Sequence, residues 1–284
     1  MNFQITLTDM IKKIFHLADI HIVNQLDKRP YDQMLKQAVA EIYKEIKKYD
    51  KDEVRIVISG DIYHQKIKTS KEAEKMFHEM LNYLNAMCKT IVIAGNHDML
   101  ENNLDRMHAL TPTFTIKGGY PNIIYADKEL DYKSGYIVDD GVVWCIYSIF
   151  DMFKKPNFDG LREQYPNHKF IGLYHGEVVG AVTDMGRMSE SGIDTNDFKG
   201  LDCVMAGHIH KNQTLKKNGV PIVYPGSLFQ QDMGENITGH GYELWDLETM
   251  KHKHIEVSNK YRIYKIEVTS YDDVTNDTEK LLNY

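Results

Sequence analysis

Three features of the chain predict an α/β fold. Short β-branched runs alternate with amphipathic stretches through the first hundred residues, the pattern turns to strands beyond residue 120, and no repeat or low-complexity tract interrupts it. Strand–helix alternation implies parallel strand pairs joined by crossover helices. A chain of 284 residues is long enough to bury one large core, alone or with a small appendage.

The first strands fall at 13–18, 54–59 and 90–94. Between the first two, Leu35, Val39, Ile42 and Ile46 recur at three- and four-residue spacing and predict a helix over 31–49, with Pro30 suited to its start. Before the third strand, Thr69 and Glu72 fit a capping box, and Met76, Phe77, Met80, Leu81 and Leu84 form one apolar stripe. Further strands are expected at 123–126, 136–147, 170–174, 203–206, 221–224 and 242–247. From Tyr261 a new alternation begins, then gives way to polar residues and a helical 279–282. A strand and a fragment of helix cannot bury an apolar face alone, so the chain divides into a main domain, 1–258, and the start of a small α+β unit, 259–284.

Composition narrows the class. Charged residues make up 26% and hydrophobic ones 42%, as in an ordinary globular protein. No stretch approaches the roughly 20 apolar residues of a membrane span, and the first twenty residues lack a signal-peptide core, so a cytoplasmic location without membrane contact is expected. Cys88, Cys145 and Cys203 are odd in number and widely spaced, which suits reduced core residues better than disulfides or a thiolate zinc site. A net charge of −7 argues against a protein that coats nucleic acid, although bound divalent cations can reverse the sign locally.

Five polar motifs each follow a predicted strand: Asp19-Ile20-His21, Gly60-Asp61, Gly95-Asn96-His97-Asp98, His175, and Gly207-His208-Ile209-His210. Loops at the carboxyl ends of strands converge on one crevice, so this placement gathers distant residues. Asp19, His21, Asp61, Asn96, His175, His208 and His210 form an imidazole–carboxylate set without thiolate, which suits manganese, iron or zinc better than calcium or magnesium. The set is too large for one ion; shared between two with Asp61 bridging, it leaves open positions on both. Two cations about 3.5–4 Å apart stabilise in-line displacement at phosphorus, making phosphate-ester hydrolysis the natural reaction. Asp19-Ile20-His21 or Gly60-Asp61 alone would be a strand-end turn or helix cap, whereas Gly95-Asn96-His97-Asp98 and Gly207-His208-Ile209-His210 exceed what a turn requires; it is their joint arrival that carries the reading.

On these residues the chain resembles the calcineurin-like metallophosphoesterase superfamily, whose pattern D-x-H, G-D, G-N-H-D/E, H and G-H-x-H is matched in full. The resemblance implies a layered β-sandwich flanked by helices. It assigns Asp19, His21, Asp61 and His210 to one divalent cation and Asp61, Asn96, His175 and His208 to the other. His97 would meet the scissile phosphate with Asp98 orienting its ring; a third metal ligand is the alternative for His97. Within the superfamily the chain looks most like the SbcD-type double-strand-break repair nucleases. Gly60-Asp61-Ile62-Tyr63-His64 is similar to their G-D-L-F-H segment, and Tyr224-Pro225-Gly226-Ser227 with Gly234-Glu235 to their Y-P-G-S region. The strand near Tyr261 falls where those proteins begin a DNA-facing cap.

That likeness implies a DNA exonuclease and endonuclease loaded with two cations, manganese first, with magnesium, iron or zinc as alternatives. It also implies a homodimer and an SMC-like ATPase partner, although a complete cap and an ATPase-docking segment do not fit into the remaining residues. His64 is expected to position phosphate, unless it merely hydrogen-bonds its own loop. Lys66, Lys68, Lys71 and Lys211 lie near the motifs and are the first candidates for phosphate contacts, which carry no base specificity. The segment 176–196, rich in glycine, serine and methionine, is expected to be a mobile loop beside His175. Two rival readings remain: a phosphodiesterase of nucleotides or other small esters, and a non-catalytic scaffold.

Overall fold

The computed structural model describes residues 10–23, 29–66, 69–99, 108–115 and 119–265. In chain order the elements are β1 (Lys13–Leu17), α1 (Tyr31–Ile46), β2 (Val54–Ser59), α2 (Lys71–Met87), β3 (Lys89–Ile93), α3 (Thr111–Thr115), β4 (Ile123–Tyr125), α4 (Ala126–Glu129), β5 (Gly135–Asp139) and β6 (Val142–Tyr147). They continue with α5 (Leu161–Gln164), β7 (Lys169–His175), β8 (Cys203–Gly207), β9 (Gln213–Lys217), β10 (Val220–Tyr224), β11 (Gly241–Asp246) and β12 (Lys251–Glu256).

The strands form two six-stranded mixed sheets, ordered β12-β11-β1-β2-β3-β4 and β5-β6-β7-β8-β10-β9. Strands β1 to β4 run parallel, as do β6, β7 and β8. The period-two alternation of strand side chains decides which layer each residue joins. Phe15, Leu17, Ile56 and Ile58 pack with the apolar stripes of α1 and α2, whereas Ile14 and Val57 point between the sheets to meet Trp144, Ile146, Ile171 and Leu173. The far face of the second sheet, with Val143, Cys145 and Tyr147, is covered by Leu161, Phe198 and Leu201 rather than by a long helix. Central strands buried on both faces read as continuous apolar runs, which is why β2 and β6 stand out in the sequence.

The expected α/β sandwich is therefore present, with local differences. Ser70, not Thr69, caps α2, its hydroxyl accepting from the Ala73 amide at 3.1 Å. The run expected as one strand over 136–147 is a hairpin, because Asp140 and Gly141 both take positive φ (33° and 85°) as a tight two-residue turn requires. Helix α1 stops at Ile46, short of 49. Strands β9 and β12 were not foreseen. The strand expected to start at Tyr261 is absent from 261–265, an irregular stretch held where Gln230 exchanges hydrogen bonds with the backbone of Ile263. The remainder of the expected second unit, 266–284, lies outside the described residues.

At the amino end of β2, Arg55 is buried, and its guanidinium donates to both oxygens of Asp139 at 2.7 and 3.1 Å. Asp139 ends β5, so this fork ties one sheet to the other. The three cysteines are buried and unpaired.

Candidate metal centre

Parallel β1, β2 and β3 in one sheet, and β7 and β8 in the other, end at a common edge, and the polar motifs meet there. Asp19, His21, Asp61 and His208 all adopt left-handed backbone (φ 51°, 50°, 53° and 98°), a conformation costing about 1–3 kcal/mol each in non-glycine residues and tolerated where surroundings over-determine it. The surroundings do so. Both Asp19 carboxylate oxygens accept from the His208 amide, at 3.0 and 2.9 Å, across 189 positions of sequence. The His21 amide donates to the Asp61 carbonyl at 3.0 Å. Glycine is needed at 95 for a different reason: a Cβ there would lie 2.1 Å from Asp61 Oδ1.

Three groups of side chains each bring their ligand atoms within 4.8 Å of one another: Asp19, His21 and His210; His21, Asp61 and His97; and Asp61, His175 and His208. His21 joins the first group to the second and Asp61 joins the second to the third, with Asp61 Oδ2 3.6 Å from His21 Nε2 and Oδ1 3.3 Å from His175 Nε2. The amide oxygen of Asn96 lies 3.1 Å from His175 Nε2 and 2.9 Å from His208 Nδ1. On the other side His21 Nε2 and His210 Nε2 sit 3.0 Å apart. Ring nitrogens, carboxylate oxygens and an amide oxygen aimed at two adjoining points are the donor set for two divalent cations, and the seven residues present fit that group.

Outer contacts fix the ligands in turn. His175 Nδ1 donates to the Ser59 carbonyl at 2.7 Å, leaving Nε2 for the centre. His210 Nδ1 faces Glu235 Oε1 at 2.5 Å, and Glu235 is anchored by the Ser227 hydroxyl and the Gln231 amide. Charge is divided unevenly among the imidazoles: burial drives His21 and His208 down, His208 to about 4. Burial lowers His175 and His210, but Asp61 acting on the first and Glu235 on the second outweigh it and hold both up at about 9. Burial raises Asp61, yet the surrounding histidines win and keep it well below the usual carboxylate range. Asp19, wholly buried, is pushed up to about 6.

His97 and Asp98 differ from expectation. The Asp98 carboxylate does not reach the His97 ring; it accepts from the amides of Ile62, Tyr63 and Gly95 at 2.9–3.2 Å and so staples the loop after β2 to the loop after β3. Its burial and the neighbouring Asp61 push it up to about 7. The His97 ring is oriented instead by the His64 main-chain carbonyl, 2.6 Å from Nδ1. The exposed His64 ring stands 5.8 Å from that of His97 and 5.5 Å from that of His21.

Of the candidate lysines, Lys71 is engaged by Glu74 at 2.8 Å, Lys66 and Lys211 are half-buried, and Lys68 lies outside the described residues. The segment 176–196 is pinned rather than loose. Val178 and Ala181 are buried, Glu177 accepts from Ser191 and Ser189, and the Gln213 amide clamps Val182 at 2.9 and 2.7 Å. Glu177 Oε1 stands 4.0 Å from His208 Nε2. Neither Glu177 nor Glu235 was assigned a role from sequence; Glu235 lies in the quoted Gly234-Glu235 pair, but nothing in one sequence joins it to His210. Outside the centre, His240 is held by Ser227, and His252 and His254 by Glu243.

The chain belongs to the calcineurin-like phosphoesterase superfamily, whose model matches residues 12–249, the span that holds every strand except β12 and all seven candidate ligands. An uncharacterized protein of Acanthamoeba polyphaga mimivirus is 34% identical over 259 residues, covering 88% of this chain and 18% of that protein. A component of the Bacillus subtilis nuclease SbcCD is 34% identical (78% of this chain, 63% of that one), and the Archaeoglobus fulgidus DNA double-strand break repair protein Mre11 21% identical (78% and 51%). The chain thus spans less than two-thirds of each of these relatives. Family membership implies a metal-dependent hydrolase. No helix among the described residues is long and apolar enough to cross a membrane.

Proposed function

We propose that this protein is a manganese-dependent DNA phosphodiesterase that trims duplex ends in the 3′ to 5′ direction and cuts single-stranded or hairpin DNA. The observation that carries phosphoryl chemistry is Asp61, whose two oxygens face histidines on opposite sides. Bound cations supply Lewis-acid stabilisation of phosphoryl oxygens and lower the pKa of water. The chain's own residues do the rest. His97, with Nδ1 committed to the His64 carbonyl, has Nε2 left to carry a proton to the departing sugar oxygen, and its amide holds Asp61 Oδ1 at 2.8 Å. The buried carboxylates Asp19 and Asp61 keep the ligand set charged and rigid.

The nucleic-acid substrate is supported by the similarity to the SbcCD nuclease component and to Mre11. Manganese, the polarity, a cap beginning at 259, a homodimer and an SMC-like ATPase partner rest on the SbcD-type likeness alone, and Lys66, Lys68, Lys71 and Lys211 remain the candidates for phosphate contacts. A second reading, hydrolysis of nucleotides or other small diesters, is favoured by the net charge of −7 and by Asp184, Asp232 and Glu235 around one opening of the centre. The test is incubation with Mn²⁺ and either end-labelled duplex or a chromogenic phosphodiester. Progressive shortening of the duplex, reduced on the order of 100-fold or more by His97→Ala, is the expected result. Activity confined to the chromogenic ester removes the nuclease assignment, and unchanged DNA turnover in His97→Ala removes the role given to that residue.

A further inference from the structure

A cavity of about 620 Å³ opens directly from the Asn96, His175 and His208 side of the centre, and its opposite wall is apolar, formed chiefly by Phe150, Met152 and Phe153. These three side chains follow β6 in one tight turn, where the Phe153 amide donates back to the Ser148 carbonyl at 2.9 Å. Met152 and Phe153 are both left-handed (φ 50° and 55°), a pairing that bulky residues rarely accept and that is found where a site requires it. Met152 is 88% exposed at the mouth, where its side chain is free to adapt to what enters. Phe150 leans on His108 (4.1 Å between centroids) and Phe153 on Tyr174 (5.0 Å), so each ring is braced from behind. The turn is also tied to the ligand loop: the Ser148 hydroxyl donates to Asp127 at 2.5 Å, and Asp127 accepts from the Ala94 amide at 2.8 Å, two residues before Asn96. Apolar wall and metal-ligand loop are therefore held as one unit.

We infer that this wall receives the unstacked nucleobase of a nucleotide adjoining the scissile phosphate, with Phe150 as the stacking platform and Met152 as an adaptable rim. The inference rests on the phosphodiesterase reading and deepens it by naming what the substrate must carry beside the reacting phosphorus. A phosphate held at the ligands shared with the cavity has its attached nucleoside facing the aromatic side. Stacking is tolerant of base identity because every base offers a π-face, so the site selects for an unpaired base rather than for a sequence. A polar phosphoester without a base would gain nothing from Phe150, Met152 or Phe153.

The probe is a short single strand with 2-aminopurine beside the cleavable bond, compared with the same strand carrying an abasic residue there. Binding is followed by 2-aminopurine fluorescence with Ca²⁺, and turnover with Mn²⁺. Stacking predicts quenching on binding and a preference for the base-bearing strand of about 10-fold in KM, with both effects diminished in Phe150→Ala and Met152→Ser. Equal treatment of the two strands by the native protein, or an unchanged ratio and unchanged quenching in both variants, overturns the subsite while leaving the phosphodiesterase reading intact. Failure to hydrolyse any diester with cations bound overturns that reading and the subsite with it. Should Phe150→Ala fail to fold, the exposed Met152→Ser decides.

Discussion

Replacing Glu235 by glutamine is expected to weaken Mn²⁺ binding at the His21–His210 side of the centre by roughly 10- to 100-fold, about 1.4–2.8 kcal/mol. The Glu235 side chain is only 5% exposed and serves three donors, His210 Nδ1, the Ser227 hydroxyl and the Gln231 amide. Glutamine has one acceptor oxygen. Turned toward His210, it sets its NH₂ against the Gln231 amide and strands a buried donor, at about 1–3 kcal/mol. Turned toward Gln231, it offers an N–H to His210 Nδ1 and favours the tautomer with the proton on Nε2, where a cation should bind. The charge matters too. Glu235 holds His210 at about 9 despite burial, so at neutral pH a proton competes for Nε2, whereas above pH 9 it does not. Glu235→Gln removes both the competing proton and the attraction for a cation, so the measured loss should be larger at pH 9.5 than at pH 7. Calorimetric titration at both values, with circular dichroism as the folding control, is the assay. Equal affinities for native and variant protein at pH 9.5 would refute the argument.

Two further outcomes follow from close packing and from buried charge. Gly95→Ala should abolish tight cation binding while leaving helix content intact, because the new Cβ must displace Asp61 Oδ1 from 2.1 Å; metal content after desalting measures this, and full occupancy would contradict it. Burial pushes Glu243 up from 4.5, but its bonds from His252, His254 and Asn212 outweigh this and hold it at about 2, so its stabilising contribution is complete above about pH 4.5 and lost as pH falls toward 2. The full shift corresponds to about 3 kcal/mol, and Glu243→Gln should flatten the acid-unfolding curve over that window rather than shift it in parallel.

Much of the sandwich was legible because its central strands are buried on both faces, which forces continuous apolar runs at β2, β3 and β6. The strands that escaped notice, β9 and β12, are edges of their sheets. Edge strands are commonly charged to resist pairing with other chains, and Gln213–Lys217 and Lys251–Glu256 read as polar loops for that reason. The cap of α2 slipped by one residue because Thr69 and Ser70 are chemically equivalent candidates, and only backbone direction separates them.

For the site, what the amino-acid order determined by itself was local: which carboxylates, amide and imidazoles stand at strand ends, and with which glycines beside them. Strand-end placement is written in a few consecutive residues, so the seven candidate ligands could be named before their meeting place was known. Which group orients which was decided only by the tertiary structure. Asp98 follows His97 directly, yet it turns inward to three amides, and the ring is steered by a carbonyl thirty-three positions earlier. Glu235 reaches His210, and Phe150 lines the cavity beside His175, because separate loops meet where the two sheets end. Hydrogen-bond partners are chosen by distance in space, and no spacing along one chain encodes that distance.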